Sequence, residues 1–598
     1  MSNIDIVDEY GTNKIFTGAF LRVLFISLLA EISGLIGITV NGIIISRSLG
    51  GTSMSAAGLF EPLSTFINLL SAIISTGHSI ACGRKIGAMK SKEANQIFSS
   101  ACFLVLLISF FFATLCFWLV PFLAQLLGGN ADSKIYMPLV SYIKGNAIGI
   151  PGIMIVAFLM PVMQLEGDKR RAIIAAVVLC VSNIIGDLVN VLVVHGGMFG
   201  MGITTSISYY ISSIILLFHF FGKSSIKNTL SFRITDVKKN LFMDVIKSGI
   251  SQIFQRMSTI FRSKSFNSLA MFYGGTSGFP AFATVNNFSA ALTALPKAFG
   301  ATSLLMQGIL MGEEDPKTVK NVLNLSLTRA IMYNTVFACL IFFVAPYLVL
   351  LYTPETSSYY MASVSGIRWY SACLIPYAIN MVYTNYLQCN HKLKMASILL
   401  FTDGFLSPYI FALIMTKYIA LNGIMAAFFV GKLFVSLATI IWISIKNKHL
   451  AFSVSDYLLL PDDFGIPPEN QFNHIITSPE DAVNISKGAI DFFEKHNFDK
   501  KRAMLAGLCV EELAVVLIEH GFNDKKQHYI NIRLAIKRDS ILIRFRDNCK
   551  PVNPIDFYKL DDPNDSAANI GVKMIIKMAA KVEYTKSLQL NNLLIVVL

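Results

Sequence analysis

Long apolar runs separated by short polar stretches fill the first 450 residues. A membrane-spanning helix needs about 20 predominantly apolar residues. Runs of that order lie at 16–40, 56–83, 98–127, 137–165, 172–195, 199–222, 243–270, 280–310, 326–353, 366–389, 396–416 and 420–445. The pattern predicts twelve transmembrane helices in an all-α membrane region. The run 243–270 is the most polar of them, because it carries Arg256, Arg262 and Lys264. Past Leu450 the pattern changes. A stretch with Pro461, Pro467 and Pro468 reads as a linker over 451–477, and 478–598 reads as a small soluble α/β domain. Ser478 before Pro479 marks a helix start, since serine caps free N–H groups and proline suits the first helical position. A second helix is expected over Asp499–His520, then alternating strands over Tyr529–Ile536 and Ser540–Arg546 with Arg538 and Asp539 at the turn. A helix near Gly571 and strands near Val582–Thr585 and Leu593–Leu598 complete the domain.

The membrane region repeats itself. Leu49–Thr52 (LGGT) faces Tyr273–Thr276 (YGGT), and Met163–Ala172 faces Leu387–Ala396, both 224 positions apart; Pro121 and Pro346 are 225 apart. Two six-helix halves, 1–225 and 226–450, follow. With an even number of helices per half the repeats run parallel, and such transporters hold substrate between the halves near the midplane.

Composition supports a membrane protein. Of 598 residues 54% are hydrophobic and only 15% charged, against about 25% charged in soluble domains. The net charge of +13 would suit nucleic acid in a soluble chain, but the basic residues cluster between apolar runs. Arg84, Lys85, Lys169, Arg170, Arg171, Lys317, Lys392 and Lys394 fall in alternate loops, which places those loops and both termini in the cytoplasm. A multi-pass protein of a bacterial inner membrane is expected. The nine cysteines show no CxxC or metal-ligand spacing, so packing roles and no resident metal are expected. The first apolar run is of spanning length and follows Asp5, Asp8 and Glu9, unlike a cleaved signal.

Val40–Leu59, Gly83–Ala94, Gln164–Arg171 and Ser182–Asp187 resemble the first repeat of multidrug and toxic compound extrusion (MATE) transporters, and the likeness extends over some 430 residues. The resemblance implies two lobes that rock about a central site, with a proton or sodium ion entering as substrate leaves. Charged groups within a span are costly and mark function, so Glu31, Glu61, Asp187 and Asp403 are the candidate coupling acids; Asp187 matches the family's helix-5 acid. Asn41 stands where many members carry an acid, and it can ligate a cation but releases no proton at neutral pH. Glu166 is expected to serve topology or packing.

Against the family resemblance, helix 7 lacks the acid of the sodium-coupled branch and carries Arg256 and Arg262 instead, with Lys297 on helix 8, so an anionic or zwitterionic substrate follows if Arg262 or Lys297 lines the cavity. Asn380 and Gln388 are candidate substrate contacts. The first expectation is cation-coupled export of small organic or drug-like compounds; an exporter or flippase of anionic lipid-linked or polysaccharide precursors is the alternative.

In the tail, Glu511–Gly521, Arg546–Pro551 and Asn569–Ile575 resemble the nucleotide boxes of the histidine-kinase-type ATPase fold, closest to anti-sigma-factor kinases. The resemblance assigns Asp547 and Asn548 to adenine recognition, Glu512 to the catalytic helix and Gly571 to the lid, with ADP or ATP as ligand. Val516 stands where the fold places its Mg²⁺-holding asparagine, and Cys549 and Asn569 replace glycines, so a regulatory domain without catalysis is expected, contacting a cytosolic signalling protein. A membrane-tethered receptor with an active kinase end is the competing reading; it needs no acids in its spans and an intact Mg²⁺ ligand.

Overall fold

The computed structural model describes residues 3–129, 134–221, 229–351, 354–522, 528–559 and 570–598. Seven helices form the first lobe: α1 (Asn3–Ile44), α2 (Gly51–Gly87), α3 (Ser91–Trp118), the short α4 (Val120–Leu126), α5 (Tyr136–Leu165), α6 (Lys169–Val189) and α7 (Gly197–Phe221). α5 is its hub, packed against α2, α3 and α7, while α6 joins α1 to α7. The second lobe comprises α8 (Lys239–Gly249), α9 (Ser251–Leu292), α10 (Ala294–Glu313), α11 (Pro316–Leu350), α12 (Tyr360–Cys389), α13 (Leu393–Phe401) and α14 (Ser407–Asn447), with α12 central.

Two of these ranges hide a chain reversal. The rings of Phe266 and Phe282 stack with centroids 6.4 Å apart, whereas sixteen residues of straight helix would part them by about 24 Å. α9 therefore folds back between them. In α14, Ile419 and Ala420 leave helical geometry, Ala420 at φ 45°, and Ser407 Oγ donates to the Gly431 carbonyl at 2.9 Å. These reversals separate the spans expected at 243–270 and 280–310, and at 396–416 and 420–445. Among the described residues eight helical segments are long and apolar enough to cross a membrane, Leu393–Asn447 counting as one. The helices at 243–270, 280–310 and 366–389 are not among the eight.

The two lobes meet at one end of the bundle, the end that carries loops 88–90, 166–168, 314–315 and 390–392. Here α2 packs on α8 and α10 so closely that side chains are excluded. A Cβ on Gly87 would lie 1.9 Å from the Ile309 carbonyl oxygen, one on Gly312 1.9 Å from that of Arg84, and one on Gly77 1.9 Å from that of Val245. Small residues at helix crossings permit such approach within a bilayer.

The tail forms an antiparallel sheet of β1 (Gln471–Ile476), β2 (Ile530–Lys537), β3 (Ser540–Asp547), β4 (Lys581–Ser587) and β5 (Leu590–Val597), in the order β1-β2-β3-β5-β4. The helices α15 (Pro479–Lys495), α16 (Lys500–Gly521) and α18 (Ile570–Met578) share one core with Ile532, Leu534, Ile543, Phe545 and Ile595 of the strands; a short helix, α17 (Pro554–Lys559), precedes α18. Ser478 caps α15 in a capping box with Asp481, as its sequence predicts. β1 begins at Gln471, inside the stretch expected to be linker; it extends the sheet by pairing with β2.

Because strand side chains alternate between faces, the residues between those core positions point the other way. Arg533 and Lys537 of β2, Arg544 and Arg546 of β3 and Lys581 of β4 line this second face, and it lies on the membrane lobes. Arg544 donates to the Gly87 carbonyl at 2.9 Å and pairs with Glu313 at 3.3 Å, so one side chain touches both lobes. Arg546 also pairs with Glu313, Lys537 with Glu314 at 2.5 Å, and Lys581 donates to the Met89 carbonyl. At the β4–β5 turn Leu588 and Gln589 both take positive φ, the geometry of a tight primed hairpin turn. The Leu588 N–H reaches the Leu165 carbonyl at 3.1 Å.

Candidate functional site

A cavity of about 670 Å³ lies between the lobes. α1 and α2 bring Glu31, Glu61 and Ser79 to it, α5 brings Gln164, and α9 brings Arg256, Arg262 and Asn286. Lys297 enters from α10, Tyr377, Asn385 and Gln388 from α12, and Asp403 and Lys432 from the last two spans. Glu31, Glu61, Arg256, Arg262, Lys297, Gln388 and Asp403, singled out from sequence and scattered over both halves of the chain, thus face one space. Four cations and three carboxylates line it, an arrangement suited to a ligand that carries negative charge or both signs.

Repeat-equivalent hydrogen bonds hold its floor. Ser27 Oγ donates to Gln164 Oε1 at 3.2 Å, and Ser251 Oγ to Gln388 Oε1 at 2.7 Å. Both members of the second pair lie 224 positions after those of the first. Gln388 is therefore also an internal tie, and its Nε2 donates to Asn385.

Asp403 sits in a π-helical turn, Thr402–Leu406, a feature frequent at functional sites. Its carboxylate receives Lys432 Nζ at 2.6 Å and Asn380 Nδ2 at 2.6 Å. Asn380 Nδ2 also reaches the Lys432 carbonyl, Ser436 Oγ donates to Asn380 Oδ1, and the Lys432 ammonium lies 4.1 Å from the Tyr377 ring centroid. Asn380 does not line the cavity; it braces the ion pair behind it. Lys432, 3% exposed, escapes the sequence reading, although a lysine within the apolar run 420–445 is itself the signal.

Asp187 lies apart, between α6 and α7. The Thr204 hydroxyl donates to its Oδ1 at 2.5 Å, and its Oδ2 is buried without a partner among the described residues. An unmatched carboxylate oxygen is a ready acceptor for a proton or a ligand for a small cation. Asn41 is partly exposed near the end of α1 and does not line the cavity. Glu166 is buried, accepting from the Thr229 and Leu230 N–H groups at 3.0 and 2.9 Å, which ties its loop to the segment leaving α7.

In the tail, Asp547 is 2% exposed and its Oδ1 accepts from Asn591 Nδ2 at 2.6 Å and from the Cys549 N–H at 2.9 Å. Burial raises its carboxyl above the usual range against those hydrogen bonds. Asn548 Oδ1 accepts from the Tyr529 N–H, and the Glu512 carboxylate presses against Gly571. Val516 is buried in the core of the domain, and Asn569 lies outside the described residues.

The MatE family model matches residues 26–189. Over 398 residues the chain is 21% identical to the probable multidrug resistance protein NorM of Listeria innocua, covering 65% of this chain and 78% of that one. A crystal structure of MATE in complex with MaL6 superimposes with a TM-score of 0.68 at 19% identity, covering 73% of this chain and 97% of that one. An outward-facing MATE family transporter of the MOP superfamily gives 0.67 at 19%, with 75% and 98% covered.

The membrane region has the MATE fold.

A MOP superfamily transporter from Pyrococcus furiosus, described by a reversed polarity of its binding pocket that suggests a different function, gives 0.67 at 19%, with 73% and 96% covered.

Proposed function

We propose that the chain is a cation-coupled antiporter that exports a small organic compound bearing an anionic group. The observation that carries this reading is the cavity between the lobes, where Arg256, Arg262, Lys297 and Lys432 outnumber Glu31, Glu61 and Asp403. The fold's two-lobed construction supports alternating access by rocking, with the glycine-lined crossing of α2 and α10 as the closed gate. The basic loops at that end support a cytoplasmic placement, with both termini and the tail inside the cell. Asp187 is the coupling acid: its free oxygen is held in a niche separate from the substrate cavity, so cation and substrate can be bound in turn.

The tail serves as a regulatory domain. Its sheet spans the closed gate and touches both lobes, while Val516 supplies no ligand for magnesium. The acids retained in the spans favour transport over a receptor role. Reconstitution tests the reading: the purified protein in liposomes carries substrate-dependent proton or sodium flux, and Asp187→Asn abolishes it with the protein still folded. Full flux from Asp187→Asn removes Asp187 from the mechanism; no substrate-dependent ion flux from the native protein defeats antiport itself.

A further inference from the structure

A second cavity, about 880 Å³, lies between the sheet's outer face and the gate ends of both lobes, separate from the inter-lobe cavity above. Arg84, Lys85 and Lys90 reach it from the first lobe, Lys247 from α8 of the second, and Arg533, Lys537 and Arg544 from the sheet. Seven basic side chains thus face four acidic ones, Glu93, Asp244, Glu313 and Glu314.

The compensation is uneven. Glu93 pairs with Lys85 and Lys90, Glu314 with Lys537, and Glu313 with Arg544. Among the described residues Arg84 and Lys247 have no carboxylate at ion-pair distance, and Asp244, one turn before Lys247, is exposed. Arg84 Nε is buried without a partner, its Nη2 donates to the Cys389 carbonyl, and its Nη1 lies 3.0 Å from His391 Nδ1. Burial and then the Arg84 charge hold His391 down at about 4, so the ring stays neutral and cannot satisfy the guanidinium as an acid would. The volume falls within the range of about 300–1,000 Å³ typical of small-ligand sites.

We propose that this chamber binds a small phosphate-bearing polyanion, and that the bound anion favours the closed gate. Phosphate oxygens accept several hydrogen bonds at once from guanidinium and ammonium groups. The walls come from both lobes and from the tail, so opening the gate carries Arg84 away from Lys247 and Arg544 and dismantles the site. A ligand that binds one arrangement better than another shifts the population toward it, and gate position and anion affinity are reciprocally linked. The supply of anion from the cytosol rests on the proposed topology; the binding itself is measured on detergent-purified protein and does not.

Calorimetry on the full chain, at constant ionic strength, uses pyrophosphate, ATP and inorganic phosphate, with a short-chain phosphatidylglycerol arm that separates a lipid headgroup from a soluble anion. Saturable binding is expected for at least one of these probes, weakened at least tenfold by Lys247→Gln and by Arg84→Gln and unchanged by Lys448→Gln, which is outside the chamber. Lys247 is exposed, so its substitution leaves packing intact even if Arg84→Gln loosens the gate. Spin labels across the gate are expected to approach each other when the binding probe is added. Four results would overturn the proposal: no saturable binding by any probe, binding that survives both substitutions, binding lost instead in Asp547→Ala, or labels that do not approach.

Discussion

Gly87 and Gly312 occupy equivalent places in the two repeats, 225 positions apart, and each packs its α-carbon against a backbone carbonyl of the opposite lobe, Ile309 for Gly87 and Arg84 for Gly312. Ile309 and Arg84 are themselves 225 apart. The gate is therefore a two-fold contact in which the same crossing is made twice, and neither glycine tolerates a side chain.

Substituting Gly87 tests this contact. A methyl group there must displace the Ile309 carbonyl, and overpacking a tight contact costs about 1–3 kcal/mol or more. Gly87→Ala is expected to shift spin-label distances across the gate toward longer values and to lower thermal stability. Gly51→Ala at the far end of α2, with nothing within 4 Å of its added carbon, is expected to leave the gate distances unchanged. An unaltered distance distribution in Gly87→Ala would remove the glycine contact as the closing element.

Glu313 is the hinge between tail and lobes, 5% exposed in its side chain and paired with both Arg544 and Arg546. Glu313→Gln leaves two buried guanidinium groups without their carboxylate, and breaking a buried pair from one side costs about 3–5 kcal/mol. Limited proteolysis in the stretch between Leu450 and Gln471 should accelerate markedly, while the fold of the membrane region persists. Equal cleavage rates would show that the interface is held by its neutral contacts.

Lys432 and Asp403 form a buried pair within the second lobe. Lys432→Met alone strands a carboxylate and should destabilise strongly, whereas Lys432→Met with Asp403→Leu removes both charges and should recover much of the loss, as replacing whole buried pairs by apolar groups often does. Stability measured by heat or denaturant in detergent reads the cycle. If the double variant is stable yet transports nothing, the pair serves transport; full transport by the double variant would make it purely structural.

Much of this architecture is legible in the chain, and the exceptions have physical reasons. The 224-residue repeat forecasts that Gln164 and Gln388 play matching parts, and their bonds to Ser27 and Ser251 carry that through. Hydropathy places the helices, but it cannot join Glu31, Arg256 and Lys297 into one cavity, because nothing local says which helix faces meet. Lys432 is visible as a lysine within an apolar run, but hydropathy averaged over 420–445 does not register a single charge. In the tail, alternation correctly separates Ile532 and Ile543 from Arg533 and Arg544. An alternating polar face ordinarily reads as solvated, and here an acidic loop, Glu313–Asp315, covers it. β1 is missed because the prolines before it mimic a linker.

For the tail, we expect adenine nucleotides to bind weakly, ADP and ATP alike, with little dependence on magnesium and no hydrolysis. Val516 removes the metal ligand, and Asp547 is already engaged by Asn591 and Cys549. Losing hydrogen bonds to a charged group costs about 1.5–3 kcal/mol each, so Asp547→Ala should lower thermal stability measurably. Tight, magnesium-dependent ATP binding with turnover would instead make the domain an active kinase.

The most direct test concerns the charge of the substrate. Proteoliposomes with an imposed proton or sodium gradient are offered matched fluorescent organic compounds that differ in carrying an anionic or a cationic group, with native protein, Arg262→Gln and Lys297→Gln. Gradient-driven movement of the anionic compound, weakened at least tenfold by either substitution, is the expected result. Movement of the cationic compound alone, insensitive to both substitutions, would contradict the assignment of the inter-lobe cavity as an anion-selective export site.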